Sequence, residues 1–197
     1  LGGLGPYALL WAFFAGGTLA TRFRRARKEA MGKAEEAGGR RSAANVLANC
    51  SVAAFLVACA ALTPAQATLL HLAAAAAFAT ALMDTIGTEV GQAIRTPTVL
   101  LPDLRRVPPG TDGAVSIAGT LAGLLAAALL AALGALLGLY ALAALPAVVA
   151  AAFAGTVVES LLGRDGASWR VTNGHVLNLF NTLAGAAVAA LIARFVL

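Results

Sequence analysis

The stretch from Gly113 to Leu162 runs for 50 residues with a single charge, Glu159. A helix crosses a bilayer core with about 20 apolar residues, so this stretch is long enough for two antiparallel spans. A turn near Gly134–Leu139 divides it into 113–134 and 139–162. Four further apolar runs, at 4–20, 43–62, 65–91 and 176–196, bring the number of spans to six. The fold expected is all-α, a polytopic transmembrane helix bundle forming one integral membrane domain over residues 1–197. The chain is 60% hydrophobic and 12% charged, whereas a soluble domain carries about a quarter charged residues. So little polar surface cannot cover so apolar a core, which excludes an ordinary soluble domain and a disordered chain. Alanine, leucine and glycine fill the apolar positions and aromatics make up only 6%, a composition suited to closely packed helices rather than barrel strands. Cys50 and Cys59 would stand roughly 13.5 Å apart along one helix and on opposite faces, out of disulfide range.

The basic residues orient the bundle. Eight lie between spans one and two, three between three and four, and two between five and six, while the other two connections carry none. The positive-inside rule makes the three polar loops cytoplasmic. Arg194, on the far side, is placed to snorkel at a helix end. The unusual polar residues cluster at the same cytoplasmic ends, and the outer half is alanine and leucine. Alternating-access transporters need polar groups near the midplane and a route to both faces. One-sided polarity suits a membrane enzyme that meets a soluble reagent from the cytoplasm and a lipid from the bilayer.

Several constellations each carry two readings. Arg41, Asn45 and Asn49 share one stripe at the entry of span two, either bonding a neighbouring helix or forking onto phosphate oxygens. Asp84 and Glu89 are two carboxylates in an apolar helix, each costing about 2.5 kcal/mol or more. They are either ion-paired to Arg95 or a loop arginine, or they hold a cation, for which oxygen-only donors point to Mg²⁺ rather than zinc. Gly87 and Gly91 form a small-residue pair that lets another backbone approach. The run Val107-Pro108-Pro109-Gly110-Thr111-Asp112-Gly113 is read as a helix start. With Arg105 and Arg106 before it, that N-terminus is either simply capped or an anion site. Glu159 either pairs with Arg164 or joins the site. Asn178 and Asn181, on one face with Gly174 and Gly185, either bond between helices or contact nucleotide or phosphate. The charged stretch 26–40 reads as a surface amphipathic helix or a solvated continuation of span one. No P-loop, HExxH, GxSxG or CxxC motif occurs, so hydrolytic nucleophile and zinc chemistry have no support.

These residues also carry a family resemblance. Gly38-Gly39-Arg40-Arg41-Ser42-Ala43-Ala44-Asn45-Val46-Leu47-Ala48-Asn49 resembles the start of the core of a multi-spanning membrane family once catalogued as a domain of unknown function. That family includes plant phytyl-phosphate kinase and animal transmembrane protein nineteen. Asp84-Thr85 with Glu89-Val90-Gly91 is similar to its acidic motif, and the run from Val107 to Ser116 to its most specific signature. Glu159-Ser160-Leu161-Leu162-Gly163 and Asn178-Leu179-Phe180-Asn181-Thr182 are similar to its last two blocks. The resemblance runs in order over about Arg22 to Ala186, and the segment from Arg164 to Trp169 departs from it. Members often have further spans upstream.

The resemblance implies transfer of a phosphoryl group from a nucleoside triphosphate, CTP in the plant case, to an isoprenyl monophosphate such as the phytyl or geranylgeranyl ester. In that reading Asp84 and Glu89 hold Mg²⁺, with Arg41 beside them in the catalytic set. Arg40, Asn45, Asn49, Arg105, Arg106, Thr111, Asp112, Gly113, Glu159, Asn178 and Asn181 contact substrate or nucleotide. The phosphates are expected between the starts of spans two and four, taken as neighbours. Expected partners are the isoprenyl phosphate lipid, the nucleotide and the bilayer, with a homo-oligomer left open and no nucleic acid. The competing class is an ion-coupled transporter or channel using the buried acids as ion sites. A non-catalytic membrane scaffold is a third.

Overall fold

In a computed structural model describing residues 3–24, 42–94 and 96–195, six helices are long and apolar enough to cross a membrane. They are α1 (Leu4–Arg22), α2 (Ala43–Leu62), α3 (Ala67–Ala93), α4 (Ile117–Leu136), α5 (Leu145–Leu162) and α6 (Gly174–Phe195). Short 3-10 turns at Pro64–Gln66 and Leu142–Ala144 lead into α3 and α5, with proline opening both the first turn and α5, where its missing N–H costs no helix bond. Cys50 and Cys59 both lie on α2 and form no disulfide.

The bundle is built around α3. Every residue from Leu72 to Met83 is buried, and α3 packs against all five other helices. A helix apolar all round is one that is surrounded. Alanine methyls at 73–77 make this possible, because small side chains let several neighbours approach the same axis. The closest approaches are made by glycines. A Cβ at Gly119 would lie 2.3 Å from the Gly87 carbonyl oxygen, and one at Gly91 would lie 2.9 Å from Ser116 Oγ. The small-residue pair of α3 is thus the seat of α4. On the other side, a Cβ at Gly155 of α5 would meet the Asn181 carbonyl at 2.5 Å. Spans two and four are not neighbours as expected: α2 packs on α3 and α6, while α4 packs on α3, α5 and α1, so α3 stands between them.

The polar connection between α3 and α4 is not an irregular loop. It holds a three-stranded antiparallel sheet ordered β2-β1-β3, with β1 (Thr98–Leu100), β2 (Arg105–Val107) and β3 (Ala114–Ser116). Thr98 faces Val107 on one side and Ser116 on the other. Pairing of β3 with β1 keeps residues 114–116 extended, so α4 starts at Ile117 and not at Gly113. Its N-cap is Ser116, whose Oγ accepts from Gly119 N at 3.1 Å. The Pro-Pro-Gly-Thr-Asp-Gly run is the turn between strands, where Gly110 and Gly113 have φ of 85° and 72°, the left-handed region that favours glycine.

The α3–α4 and α5–α6 connections lie at one end of the bundle, and the described end of α1 meets the same end. Arg164 pairs with Asp103 at 2.5 Å and Arg170 pairs with Asp112, tying the α5–α6 loop to the sheet. Arg24 at the end of α1 donates to the carbonyl of Ala93 at 3.4 Å. At the opposite end Tyr140 donates its hydroxyl to the Ala131 carbonyl at 2.8 Å. Burial of that hydroxyl pushes its pKa up to about 12.

Candidate functional site

A cavity of about 410 Å³ opens at the polar end between α3, α4, α5 and α6. Its wall on α3 is Asp84, Gly87, Thr88 and Gly91, and on α4 Ser116, Gly119 and Thr120. On α5 it is Phe153, Thr156, Glu159 and Ser160, with Gly174 and Leu177 on α6. The turn from Gly110 to Gly113 contributes its rim. Apart from Phe153, at the middle of α5, every helical position here lies in the half of its span nearer the polar loops. The opposite half is filled by the alanine-rich core.

The acidic pair of this cavity is Asp84 with Glu159. Their carboxyl groups come from different helices and stand close enough to interact directly. Two carboxylates in such contact repel unless a proton or a cation is shared between them. Asn181 on α6 donates from Nδ2 to Glu159 Oε2 at 2.7 Å, while its own Oδ1 is buried without a partner. Asn181 is fully buried, so that unpaired oxygen carries a desolvation cost of about 1–3 kcal/mol. Among the described residues no group of three or more His, Cys, Asp or Glu is placed to hold a metal ion, but the two carboxyl groups give the cavity an oxygen donor pair of the kind a hard divalent cation such as Mg²⁺ takes.

Two helix N-termini open on the same cavity. Ser116 caps α4, and Asn173 caps α6 by accepting from His175 N at 2.9 Å and Val176 N at 3.2 Å. The first turn of each helix still presents N–H groups with no helical acceptor, and the partial positive charge there favours anions. Gly113 is needed at the rim: a Cβ there would lie 2.6 Å from Ser160 O and Arg164 Cα. Asp112 is committed elsewhere, to Arg170, which also pairs with Asp165 at 2.9 Å.

The sequence-selected residues therefore divide. Asp84, Thr111, Asp112, Gly113 and Glu159 line the cavity, and Asn181 stands directly behind Glu159. Glu89 is buried on α3 but is not part of the lining, so the second carboxylate facing Asp84 is Glu159. Glu159 does not pair with Arg164, whose guanidinium is engaged by Asp103. Arg105 and Arg106 are exposed on β2 and away from the lining. Asn45 and Asn49 form their own pair on α2, the Asn49 amide donating to Asn45 O at 2.9 Å and Oδ1 at 3.1 Å. Asn178 is half-exposed outside the cavity. Arg40, Arg41 and Arg95 lie outside the described residues. Sequence reasoning missed Ser116, Gly119, Thr120, Thr156 and Ser160. Ser116 and Ser160 lie in blocks that carry the family resemblance, and the others were hinted at only by small and hydroxylated residues at the loop-proximal ends of α4 and α5.

Fold and site together define a six-span membrane protein with a polar cavity entered from one face. The chain belongs to the family described as Integral membrane protein DUF92, whose model matches residues 1–186. It is 39% identical over 185 residues to the uncharacterized membrane protein sll0875 of Synechocystis, covering 93% of this chain and 72% of that protein. It is 35% identical over 203 residues to the chloroplastic protein VTE6 of Arabidopsis thaliana. That match covers 99% of this chain but only 60% of the plant protein, so the chain spans less than two thirds of that relative's length. No solved structure matches the chain.

Proposed function

We propose that the protein is an isoprenyl-phosphate kinase. It transfers the terminal phosphoryl group of a nucleoside triphosphate, with CTP the expected donor, to a phytyl- or geranylgeranyl-type monophosphate and yields the diphosphate. The observation that carries this reading is the Asp84–Glu159 contact beside the unpaired Asn181 oxygen, in a cavity onto which the starts of α4 and α6 open. Acids that hold a cation and N–H groups that hold anions are the two parts phosphoryl transfer requires, since its catalysis is positioning and charge neutralisation. Kinship with VTE6 supports the same reading, as does the resemblance of the blocks around Asp84, Glu159 and Asn181 to the family that includes plant phytyl-phosphate kinase.

In this proposal Asp84 and Glu159 would hold Mg²⁺, with the Asn181 amide fixing the Glu159 carboxyl from behind, and the ion would supply neutralisation of phosphate charge. Thr111, the Gly113 backbone and the first turn of α4 orient phosphate oxygens. Arg40 and Arg41 add positive charge from the segment preceding α2. The acceptor phosphate is itself a nucleophile, so no side chain needs to take a proton from it. The active face is the one bearing the three basic loops, which the positive-inside rule makes cytoplasmic.

The test is purified protein in nanodiscs with geranylgeranyl or phytyl monophosphate, Mg²⁺ and CTP, ATP, GTP or UTP in turn, followed by mass spectrometry. The expected result is Mg²⁺-dependent prenyl diphosphate. The transporter reading is disfavoured because the polar residues of the lining all lie at the loop end and only hydrocarbon lines the groove beyond Phe153. Absence of product with every nucleotide, together with Asp84-dependent ion flux in liposomes, would put that reading in its place.

A further inference from the structure

Phe153 belongs to two concavities at once. Besides the polar cavity, an apolar groove of about 480 Å³ lies between α4 and α5. Leu124 and Ala128 line it on α4, and Pro146, Val149, Ala150 and Phe153 on α5. Phe153 also lines the polar cavity.

The helix registers show that the two concavities are parts of one cleft. On α4, Thr120 lines the cavity while Leu124 and Ala128 line the groove, an i, i+4, i+8 series on one face. On α5, Pro146, Val149, Ala150 and Phe153 pass directly into Val157 and Ser160 of the cavity, again along one face. The cleft exists because α4 and α5, although joined by a short hairpin, touch each other less than each touches α3. Its chemistry changes along its length. Threonine, serine and Glu159 line the loop end, and only hydrocarbon lines the stretch from Phe153 to Leu145, about 12 Å of helix.

Any bilayer-facing groove is covered by ordinary acyl chains, and such chains are interchangeable. This groove differs in meeting, at Phe153, a walled polar cavity with two helix N-termini, where an anionic head would fix the position of the chain attached to it. We infer that the α4–α5 cleft seats the apolar chain of a single anionic-headed amphiphile, with the phosphate in the cavity, the chain along the groove and Phe153 against its first carbons. The inference rests on the phosphate-handling reading of the cavity and extends it to a route. The lipid enters sideways from the bilayer, and the small residues Ala128 and Ala150 leave room for its chain.

The test has two arms. In the first, Ala150→Phe and Ala128→Phe narrow the groove, while Leu129→Phe, exposed on α4 and outside the lining, serves as control. KM and kcat are measured for geranylgeranyl phosphate and for dimethylallyl phosphate. The groove variants should raise the long-to-short KM ratio at least about tenfold with little change in kcat, and the control should not. In the second arm, a long-chain monophosphate bearing a diazirine is photolysed with wild-type protein in nanodiscs, and the labelled peptides are mapped. Label should fall on residues 124–128 and 149–153 and be competed by geranylgeranyl phosphate but not by geranylgeraniol. An unchanged KM ratio, label elsewhere, or label on those peptides that only bulk lipid competes would overturn the inference. If no phosphoryl transfer is found with any nucleotide, the photolabelling arm decides alone. Head-group-competed label in the groove would then uphold the cleft while the kinase reading falls.

Discussion

Gly119→Ala adds one methyl group where α4 crosses α3. Its Cβ would sit 2.3 Å from the carbonyl oxygen of Gly87, and also 3.0 Å from Ser116 Oγ. That oxygen belongs to helix backbone and cannot rotate away. Restoring a contact of roughly 3.0 Å requires α4 to withdraw by about 0.7 Å, a typical overpacking displacement. The withdrawal also loosens the next turn, where Gly123 is packed so closely that a Cβ there would lie 2.7 Å from Met83 O. Overpacking of this kind costs about 1–3 kcal/mol, and a backbone obstacle puts it at the upper end. Alanine returns about 1 kcal/mol of helix propensity, leaving a net loss of about 1–2 kcal/mol. Gly174→Ala is the control, because a Cβ there meets nothing within 4 Å, and its stability should stay within about 0.5 kcal/mol of wild type. Equilibrium unfolding in mixed micelles, followed by far-ultraviolet circular dichroism, measures both. Gly87 and Gly119 also line the cavity, so phosphoryl transfer by Gly119→Ala should fall along with its stability. A Gly119→Ala protein as stable as Gly174→Ala would refute the backbone contact between α3 and α4.

Asp84→Asn and Glu159→Gln should each lower turnover by orders of magnitude without recovery at high Mg²⁺. Glu89→Gln, outside the cavity, should retain most of it, and equal losses in all three variants would count against a site centred on Asp84 and Glu159. Arg170→Ala removes two partly exposed ion pairs, so it should cost at most about 1 kcal/mol of stability. It frees Asp112 at the cavity rim, and a raised KM for the nucleotide is the expected readout. Single cysteines at Gln66 and Ser168, with Cys50 and Cys59 replaced, should be labelled from opposite sides of the membrane, and labelling of both from one side would overturn the topology.

The sequence by itself determined six helices long and apolar enough to cross a membrane. Hydropathy acts locally, each 20-residue run answering to the bilayer alone, so no knowledge of the neighbours was needed. It also singled out Asp84, because an acid in an apolar helix is costly wherever the other helices stand. Gly87 and Gly91 were recognisable as a packing surface for the same local reason.

Partnership between helices was decided only in three dimensions. The 21 glycines offer many small-residue surfaces, and nothing in their order says that Gly87 meets Gly119 while Gly155 meets Asn181. Those contacts place α3 between α2 and α4, and they bring Glu159 rather than Glu89 to Asp84. The start of α4 likewise depended on a distant partner. Residues 107–113 carry a proline-containing helix-start pattern, but pairing of Ala114–Ser116 with Thr98–Leu100 holds the next residues extended, and the helix begins only where Ser116 caps it. Strand pairing and close helix packing depend on surfaces far apart in the chain. The tertiary structure therefore decided which of the legible polar residues share a cavity.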